Sequence, residues 1–243
     1  MTLRAYWNAA REPRYSLTLA LPLLLLYEGL SAFLSHSAVS GVRNGADVLL
    51  KTMFLTLGGR NGVVAFGAGL WVTGAWLVWR DTKRHPGAIR PTVLGGMLLE
   101  SLFYAVIFGF VVSALAGLLL RATLAIASGK IGALPLAAQL VVSLGAGIYE
   151  ELLFRVLLVS GLAALGAALG LARPLAVTAA VVASALGFSV FHYIGPYGDT
   201  LTLASFAFRA VAGLVFSGLY VARGFGITAW THALYDVAFA LLI

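Results

Sequence analysis

The feature that most constrains this chain is the length of its apolar runs. About 20 apolar residues in a helix cross the hydrocarbon core of a bilayer, and a backbone in lipid must satisfy its own hydrogen bonds, so such runs form helices. We therefore predict an all-α polytopic transmembrane helix bundle of about seven to eight spans. The seven runs lie at about 15–35, 62–79, 92–120, 134–170, 174–192, 201–222 and 226–243.

Composition excludes a soluble globular protein. Hydrophobic residues make up 61% of the 243 residues and charged residues 10%, whereas soluble domains have about 25% charged residues. The net charge is +7, but 14 of the 16 basic residues lie outside the cores of the apolar runs, where they set topology and attract lipid headgroups. The bilayer, and not nucleic acid, is the partner that this charge indicates. The chain has no cysteine, which excludes disulfides, thiolate nucleophiles and cysteine-type zinc sites.

Two details of the span pattern allow alternatives. The fourth run has 37 residues, so we expect it to bend or break at Gly145, Gly147 or Gly161. An eighth span is an alternative at 46–58, where the run is shorter and interrupted by Lys51. Without internal repeats or linkers, residues 1–243 are predicted to form a single transmembrane domain.

The basic residues also predict orientation. The positive-inside rule favours an amino terminus in the cytoplasm, and the arginine-rich, alanine-rich composition suggests a bacterial inner membrane. An eighth span would change the downstream half of this assignment. The nine basic residues on the predicted cytoplasmic side are Arg4, Arg11, Arg14, Arg80, Lys83, Arg84, Arg90, Arg173 and Arg223, and the five on the other side are Arg43, Lys51, Arg60, Arg121 and Lys130.

Ionisable residues inside the apolar runs are the candidates for function, because they are costly in a bilayer. Most lie in the carboxyl-terminal 94 residues, which indicates one polar site built on several helices. These residues are Glu28, Glu100, Glu150, Glu151, Arg155, His192, Arg209, His232 and Asp236.

The densest group of charges is the segment Tyr149–Arg155. On an α-helix Glu151 and Arg155 are i,i+4 on one face and can neutralise each other, while Glu150 is rotated by about 100°. Glu150 must therefore find another partner, and a desolvated carboxylate can serve as a general base. The alternative is a buried ion pair between Glu151 and Arg155 that only holds helices together.

Two histidines complete the candidate site. His192 ends the fifth run, where a lone histidine is usually interfacial. His232 and Asp236 are i,i+4 in the last run, so the aspartate can orient the imidazole, ligate a metal with it, or only join helices by a hydrogen bond. A carboxylate and an imidazole can activate water while a second histidine stabilises an oxyanion.

The motifs EExxxR (Glu150, Glu151, Arg155), FxxxH (Phe188, His192) and HxxxD (His232, Asp236) follow one another in this order. This ordered triple resembles the CPBP family (CAAX protease and bacteriocin-processing, or Abi), which includes the Rce1-type CAAX prenyl proteases. The resemblance covers about 134–243, the expected catalytic core.

The resemblance implies an intramembrane endopeptidase acting on a membrane protein or peptide near its carboxyl-terminal end. It implies that Glu150 with His192 activates water, that His232 with residue 236 stabilises the oxyanion, and that Glu151 and Arg155 support the site. Family members are described both as metalloproteases and as metal-independent glutamate proteases, so the cofactor is either a divalent metal such as zinc, held by Glu150, His192, His232 and Asp236, or none. Asparagine is common at the last motif position, and Asp236 favours orienting His232 or binding metal.

A single site also imposes a condition on distance, and three further charged residues need partners. A single site requires His192 and His232 to lie within about 12 Å of each other, with Tyr193–Asp199 dipping into the membrane. Arg209 must pair with an acid, for which Glu28, Glu100 and Asp236 are candidates, or else bind a substrate carboxylate. Glu28 and Glu100 are interpreted as polar contacts between helices.

The alternative functions are a proton-coupled transporter and a non-catalytic scaffold.

Overall fold

The computed structural model describes residues 2–34, 41–120, 130–195 and 198–242. Over these ranges the chain forms eight helices and no strand, which confirms the all-α prediction. A short 3-10 turn, Lys130–Ala133, precedes the fifth helix. The helices are α1 (Leu3–Ala10), α2 (Pro13–Leu34), α3 (Gly45–Arg84), α4 (Pro91–Leu120), α5 (Leu136–Ala168), α6 (Arg173–Phe191), α7 (Leu203–Arg223) and α8 (Phe225–Leu242).

Helices α2 to α8 are the seven that are long and apolar enough to cross a membrane. The alternative eighth span at 46–58 is wrong, because this stretch is the first part of α3. Gly58 and Gly59 leave helical geometry, with φ of +59° at Gly59, and bend α3 there. Residues 45–57, which we call the arm, rise about 20 Å, less than the roughly 30 Å of a bilayer core.

The arm has one face toward the protein and one away from it. Asp47 and Lys51 are buried, whereas Leu49, Met53 and Leu57, spaced i, i+4 and i+8, are exposed. The bend beyond the arm is tight, because a Cβ added at Gly62 would lie 1.9 Å from the carbonyl oxygen of Phe54. The exposed stripe lies on the face of the arm that points away from the protein.

The fourth apolar run forms the continuous helix α5 and does not break. The helix type changes after Gly145, one of the glycines at which a bend or break was expected. Leu136–Gly145 is α-helical, Ala146–Glu150 and Leu152–Val159 are π-helical, and Ser160–Ala168 is α-helical again. The helix does not break at these changes. The residues at the segment boundaries, Gly145, Glu151 and Ser160, keep right-handed helical φ and ψ. Wide π turns within α-helices often mark functional sites.

Small residues let α5 to α8 approach one another closely. A Cβ at Gly147 would lie 2.4 Å from the carbonyl oxygen of Ala229, and one at Gly213 would lie 2.8 Å from the Cα of Ala185. Gly224 alone separates α7 from α8, and its φ of +85° is a conformation that favours glycine. This packing brings the polar side chains of α5 and α8 within hydrogen-bonding distance.

Candidate active site

The carboxyl-terminal polar residues form one cluster in the bundle. Glu150 and Arg155 lie on the π-helical part of α5, His192 directly follows α6, and His232 lies on α8. The ring of Phe188 lies 4.6 Å from that of His192 and 6.0 Å from that of His232, so the imidazole centroids are no more than about 11 Å apart. The two histidines thus meet the distance required for a single site.

Glu150 and His192 face each other through atoms that accept hydrogen bonds. Glu150 Oε2 lies 4.0 Å from His192 Nε2, and this buried oxygen has no hydrogen-bond partner among the described residues. His192 Nδ1 lies 2.8 Å from the carbonyl oxygen of Phe188, which only accepts, so Nδ1 carries the proton. In the neutral ring Nε2 then has a lone pair directed at the region near Glu150.

The other oxygen of Glu150 is occupied. Asn44, the residue before α3, donates from Nδ2 to Glu150 Oε1 over 2.8 Å. Sequence reasoning missed Asn44: it matches a helix N-cap signal, but nothing local to it indicates a contact 106 residues along the chain.

His232 lies between two carboxylates. Its Nδ1 is 2.7 Å from Glu151 Oε1, and its Nε2 is 3.5 Å from Asp236 Oδ2. The sequence placed Asp236 beside His232 but did not reveal Glu151 as its closer partner. Close packing of α5 on α8 at Gly147, one helical turn before Glu151, makes this contact possible.

Arg155 forms the predicted ion pair inside an aromatic cage. Its Nε lies 3.1 Å from Glu151 Oε2, and both side chains are fully buried. The guanidinium carbon is 4.6 Å from the ring centroid of Phe188 and 5.3 Å from that of Phe216. Among the described residues its nitrogens have no hydrogen-bond partner of good geometry, so ring faces and one carboxylate stabilise this cation.

Arg209 pairs with Asp199, and the three partners expected from the sequence are wrong. Its Nη2 contacts the Asp199 carboxylate, and its Nη1 donates to Ser205 Oγ over 2.9 Å and Tyr193 Oη over 3.1 Å. Asp199 follows His192 in the connection to α7, so it reaches Arg209 without crossing the bundle. Asp199 also donates its backbone N–H to the His192 carbonyl oxygen over 2.9 Å. Of the segment expected to dip into the membrane, residues 196–197 lie outside the described residues, as does Arg121.

Glu28 and Glu100 join helices, as interpreted from the sequence. Glu28 Oε1 lies 2.8 Å from Lys51 Nζ and links α2 to the arm. Glu100 accepts from Arg223 Nε over 2.6 Å and from Nη2 over 2.7 Å, and so links α4 to α7.

The site donors do not suit one metal ion in this arrangement. They form two pairs, Glu150 with His192 and His232 with Asp236, and among the described residues no three ligand atoms of this set lie within 4.8 Å of one another. Ligand atoms around tetrahedral zinc are about 3.3 Å apart. The described group that meets the wider distance is Glu12, Asp81 and His85, and Arg14 already forms an ion pair with Glu12.

Comparison with known proteins finds a similarity in the carboxyl-terminal region. Residues 132–238 match a family model described as type II CAAX prenyl endopeptidase Rce1-like. No curated protein and no solved structure matches the chain. The match confirms the resemblance seen in the motifs.

Proposed function

Because residues 132–238 are similar to the Rce1-like CAAX prenyl endopeptidases, we propose that this protein is an intramembrane endopeptidase with its catalytic core in 134–243. It hydrolyses a peptide bond near the carboxyl-terminal or membrane-proximal end of a membrane-associated protein or peptide. The observation that carries the proposal is the facing pair of acceptors, Glu150 Oε2 and His192 Nε2, 4.0 Å apart.

Two acceptors at this separation suit a water molecule that donates one hydrogen bond to each. Donor–acceptor distances of about 2.8 Å to both atoms fit the spacing. As the water oxygen attacks the carbonyl carbon of the substrate, Glu150 takes one proton and His192 Nε2 holds the remaining O–H in place. Glu150 then gives its proton to the leaving nitrogen, the C–N bond breaks, and an acid and an amine are released.

We assign stabilisation of the oxyanion to His232. A ring with a carboxylate at each nitrogen can carry both protons, with Nδ1–H donating to Glu151. The 3.5 Å distance to Asp236 Oδ2 is too long for a strong hydrogen bond, so Nε2–H is available to the developing negative charge. Asp236 then orients the ring, Arg155 holds Glu151, and no step needs a metal ion.

The substrate and location follow from the membrane setting. We place the protein in a bacterial inner membrane with its amino terminus in the cytoplasm, because of the composition and the distribution of basic residues. Peptide maturation, or removal of a carboxyl-terminal sorting helix from a surface protein, suits this setting better than prenylated substrates.

The test is cleavage of membrane-tethered peptides by the purified protein in liposomes. Wild type should release product and Glu150→Ala should not, while both unfold at similar temperatures. Phenanthroline should leave the wild-type rate unchanged, because the donors form two separate pairs. Ion flux without cleavage by folded wild type would contradict the proposal and favour the transporter, and loss of cleavage with chelator would contradict the metal-free mechanism.

A further inference from the structure

We infer that Asn44 is a positioning residue of this active site: its side-chain amide holds one oxygen of Glu150 and thereby presents the other to His192. The inference rests on the proposed function and deepens it, because Asn44 lies outside the matched region 132–238.

The contact between Asn44 and Glu150 is short and shielded from solvent. Nδ2 donates to Oε1 over 2.8 Å, and the two residues are 2% and 6% exposed. A hydrogen bond from an amide to a buried carboxylate is among the stronger kinds. It therefore restrains the rotation that would exchange the two oxygens of Glu150.

The orientation of the Asn44 amide is itself fixed. Its Oδ1 accepts from the backbone N–H of Ala46 over 2.8 Å, as the N-cap of α3. A flipped amide would place its oxygen against the carboxylate and its NH₂ against a backbone N–H. Capping of the arm and binding of Glu150 thus require the same orientation.

The backbone at Asn44 is also held in place. Its N–H donates to Tyr27 Oη over 3.0 Å, and the Tyr27 hydroxyl donates to Asp47 Oδ2 over 2.6 Å. Asp47 forms further ion pairs of 2.7 Å with both Arg43 and Lys51. This network connects α2 and the arm and fixes the point from which Asn44 reaches α5.

Asn44 approaches α5 closely because residue 145 is glycine. A Cβ at Gly145 would lie 2.5 Å from Asn44 Cβ and 2.5 Å from Tyr27 Cε2. Gly145 precedes Glu150 by five residues, which is about one π-helical turn. The missing side chain thus lets Asn44 lie beside the carboxylate.

Two substitutions separate positioning from capping. Asn44→Asp and Asn44→Ser both keep an oxygen that caps the arm, because Asp and Ser cap about as well as Asn. Both remove the amide N–H that donates to Glu150. The serine hydroxyl is one bond shorter than the amide and does not reach Glu150 from the same position, and Asn44→Asp places a second carboxylate beside Glu150. A capping role alone predicts that Asn44→Asp keeps the wild-type kcat. A positioning role predicts that kcat falls from wild type to Asn44→Ser and falls further in Asn44→Asp.

The experiment is steady-state cleavage of a membrane-tethered peptide by the full chain, with wild type, both Asn44 variants, Glu150→Gln and Thr2→Ala. Thr2→Ala removes the cap of α1, a helix that contributes no residue to the site, and should keep kcat. We expect Asn44→Ser to lower kcat about tenfold to a hundredfold, the effect of losing a hydrogen bond to a charged group, with KM within about twofold. Asn44→Asp should lower kcat further.

Two outcomes overturn different statements. If wild type cleaves, Glu150→Gln does not, and either folded Asn44 variant keeps kcat within about twofold of wild type, the positioning role is wrong and the protease stands. If wild type does not cleave, or Glu150→Gln cleaves equally well, the proposed function fails and the inference with it. Asn44→Ser remains informative if Asn44→Asp does not fold.

Discussion

Two of the buried ionic clusters in this bundle, one around Glu100 and one around Glu150, differ in how far their polar atoms are satisfied. In the cluster around Glu100, two nitrogens of Arg223 donate to the two oxygens of Glu100 over 2.6 and 2.7 Å, and the third donates to the carbonyl of Trp7 over 3.2 Å. Tyr6 adds a hydrogen bond of 2.6 Å to Glu100. Burial and the Glu100 carboxylate raise the pKa of the Tyr6 phenol, so it stays protonated and donates.

The cluster around Glu150 also contains glutamate and arginine, but some of its polar atoms have no hydrogen-bond partner among the described residues. Among the described residues, one oxygen of Glu150, one of Glu151 and the guanidinium nitrogens of Arg155 lack a hydrogen bond of good geometry. Unsatisfied buried polar atoms are costly. Charge in an apolar helix therefore does not by itself separate a functional site from a structural contact, and the unused hydrogen-bonding capacity around Glu150 is what supports its proposed role.

The largest effect should come from replacing the carboxylate in each cluster. Glu150→Gln should lower kcat by about 10²–10⁴-fold, the contribution of a general base, with little change in thermal unfolding. Glu100→Gln should lower the unfolding temperature and leave the kcat of the folded fraction unchanged. Peptide cleavage and thermal scans of both variants measure this, and equal loss of kcat in both would remove the distinction between the clusters.

Breaking the caged ion pair should have the next largest effect. Arg155→Met removes the guanidinium that pairs with the buried Glu151 Oε2, which we expect to lower the free energy of unfolding by about 3–5 kcal/mol. Adding Glu151→Gln should recover part of this loss, because no uncompensated carboxylate then remains. Denaturant unfolding in detergent measures both variants, and a double variant less stable than Arg155→Met would contradict the explanation.

A smaller effect is expected from separating α5 and α8. Gly147→Ala places a methyl group against the carbonyl of Ala229 and should cost about 1–3 kcal/mol of unfolding free energy, with a lower kcat because Glu151 moves from His232. Gly161 on the same helix has open space around it, so Gly161→Ala should keep kcat and raise stability by up to about 1 kcal/mol. Equal effects of the two changes would exclude close packing as the cause.

The smallest effect should come from Arg209→Leu. This partly exposed pair with Asp199 is expected to contribute about 1 kcal/mol to stability. If Arg209 also binds a substrate carboxylate, KM should rise for peptides with a free carboxyl terminus and not for amidated ones. An unchanged KM for both peptides would assign Arg209 to structure alone.

Local periodicity explains what the sequence could predict. Seven spans follow from the lengths of the apolar runs, and the Glu151–Arg155 ion pair follows from i,i+4 spacing that survives the change to π geometry. The order of the motifs was enough to bring His192 and His232 into one cluster. Each of these features depends on residues close in sequence or on a known motif order.

The remaining features depend on contacts between distant segments. Asn44 reaches Glu150 from the start of the arm, and Asp199 reaches Arg209 from a connection between helices. Neither contact leaves a periodic signal, because Asn44 and Asp199 lie in irregular backbone. The bend at Gly58 and Gly59 likewise has no periodic signal. It ends the arm after about 20 Å, and the possible eighth span becomes the first part of α3.

The arm has a consequence for any experiment on this protein. Its stripe of Leu49, Met53 and Leu57 is exposed to whatever surrounds the bundle, and its first turn begins at the residue that holds Glu150. The surroundings of this stripe therefore bear on the helix whose N-cap, Asn44, donates to the Glu150 carboxylate. Turnover should accordingly vary with acyl-chain length and with the choice of detergent, even when the fold is intact, so rates from micelles and from bilayers are not interchangeable.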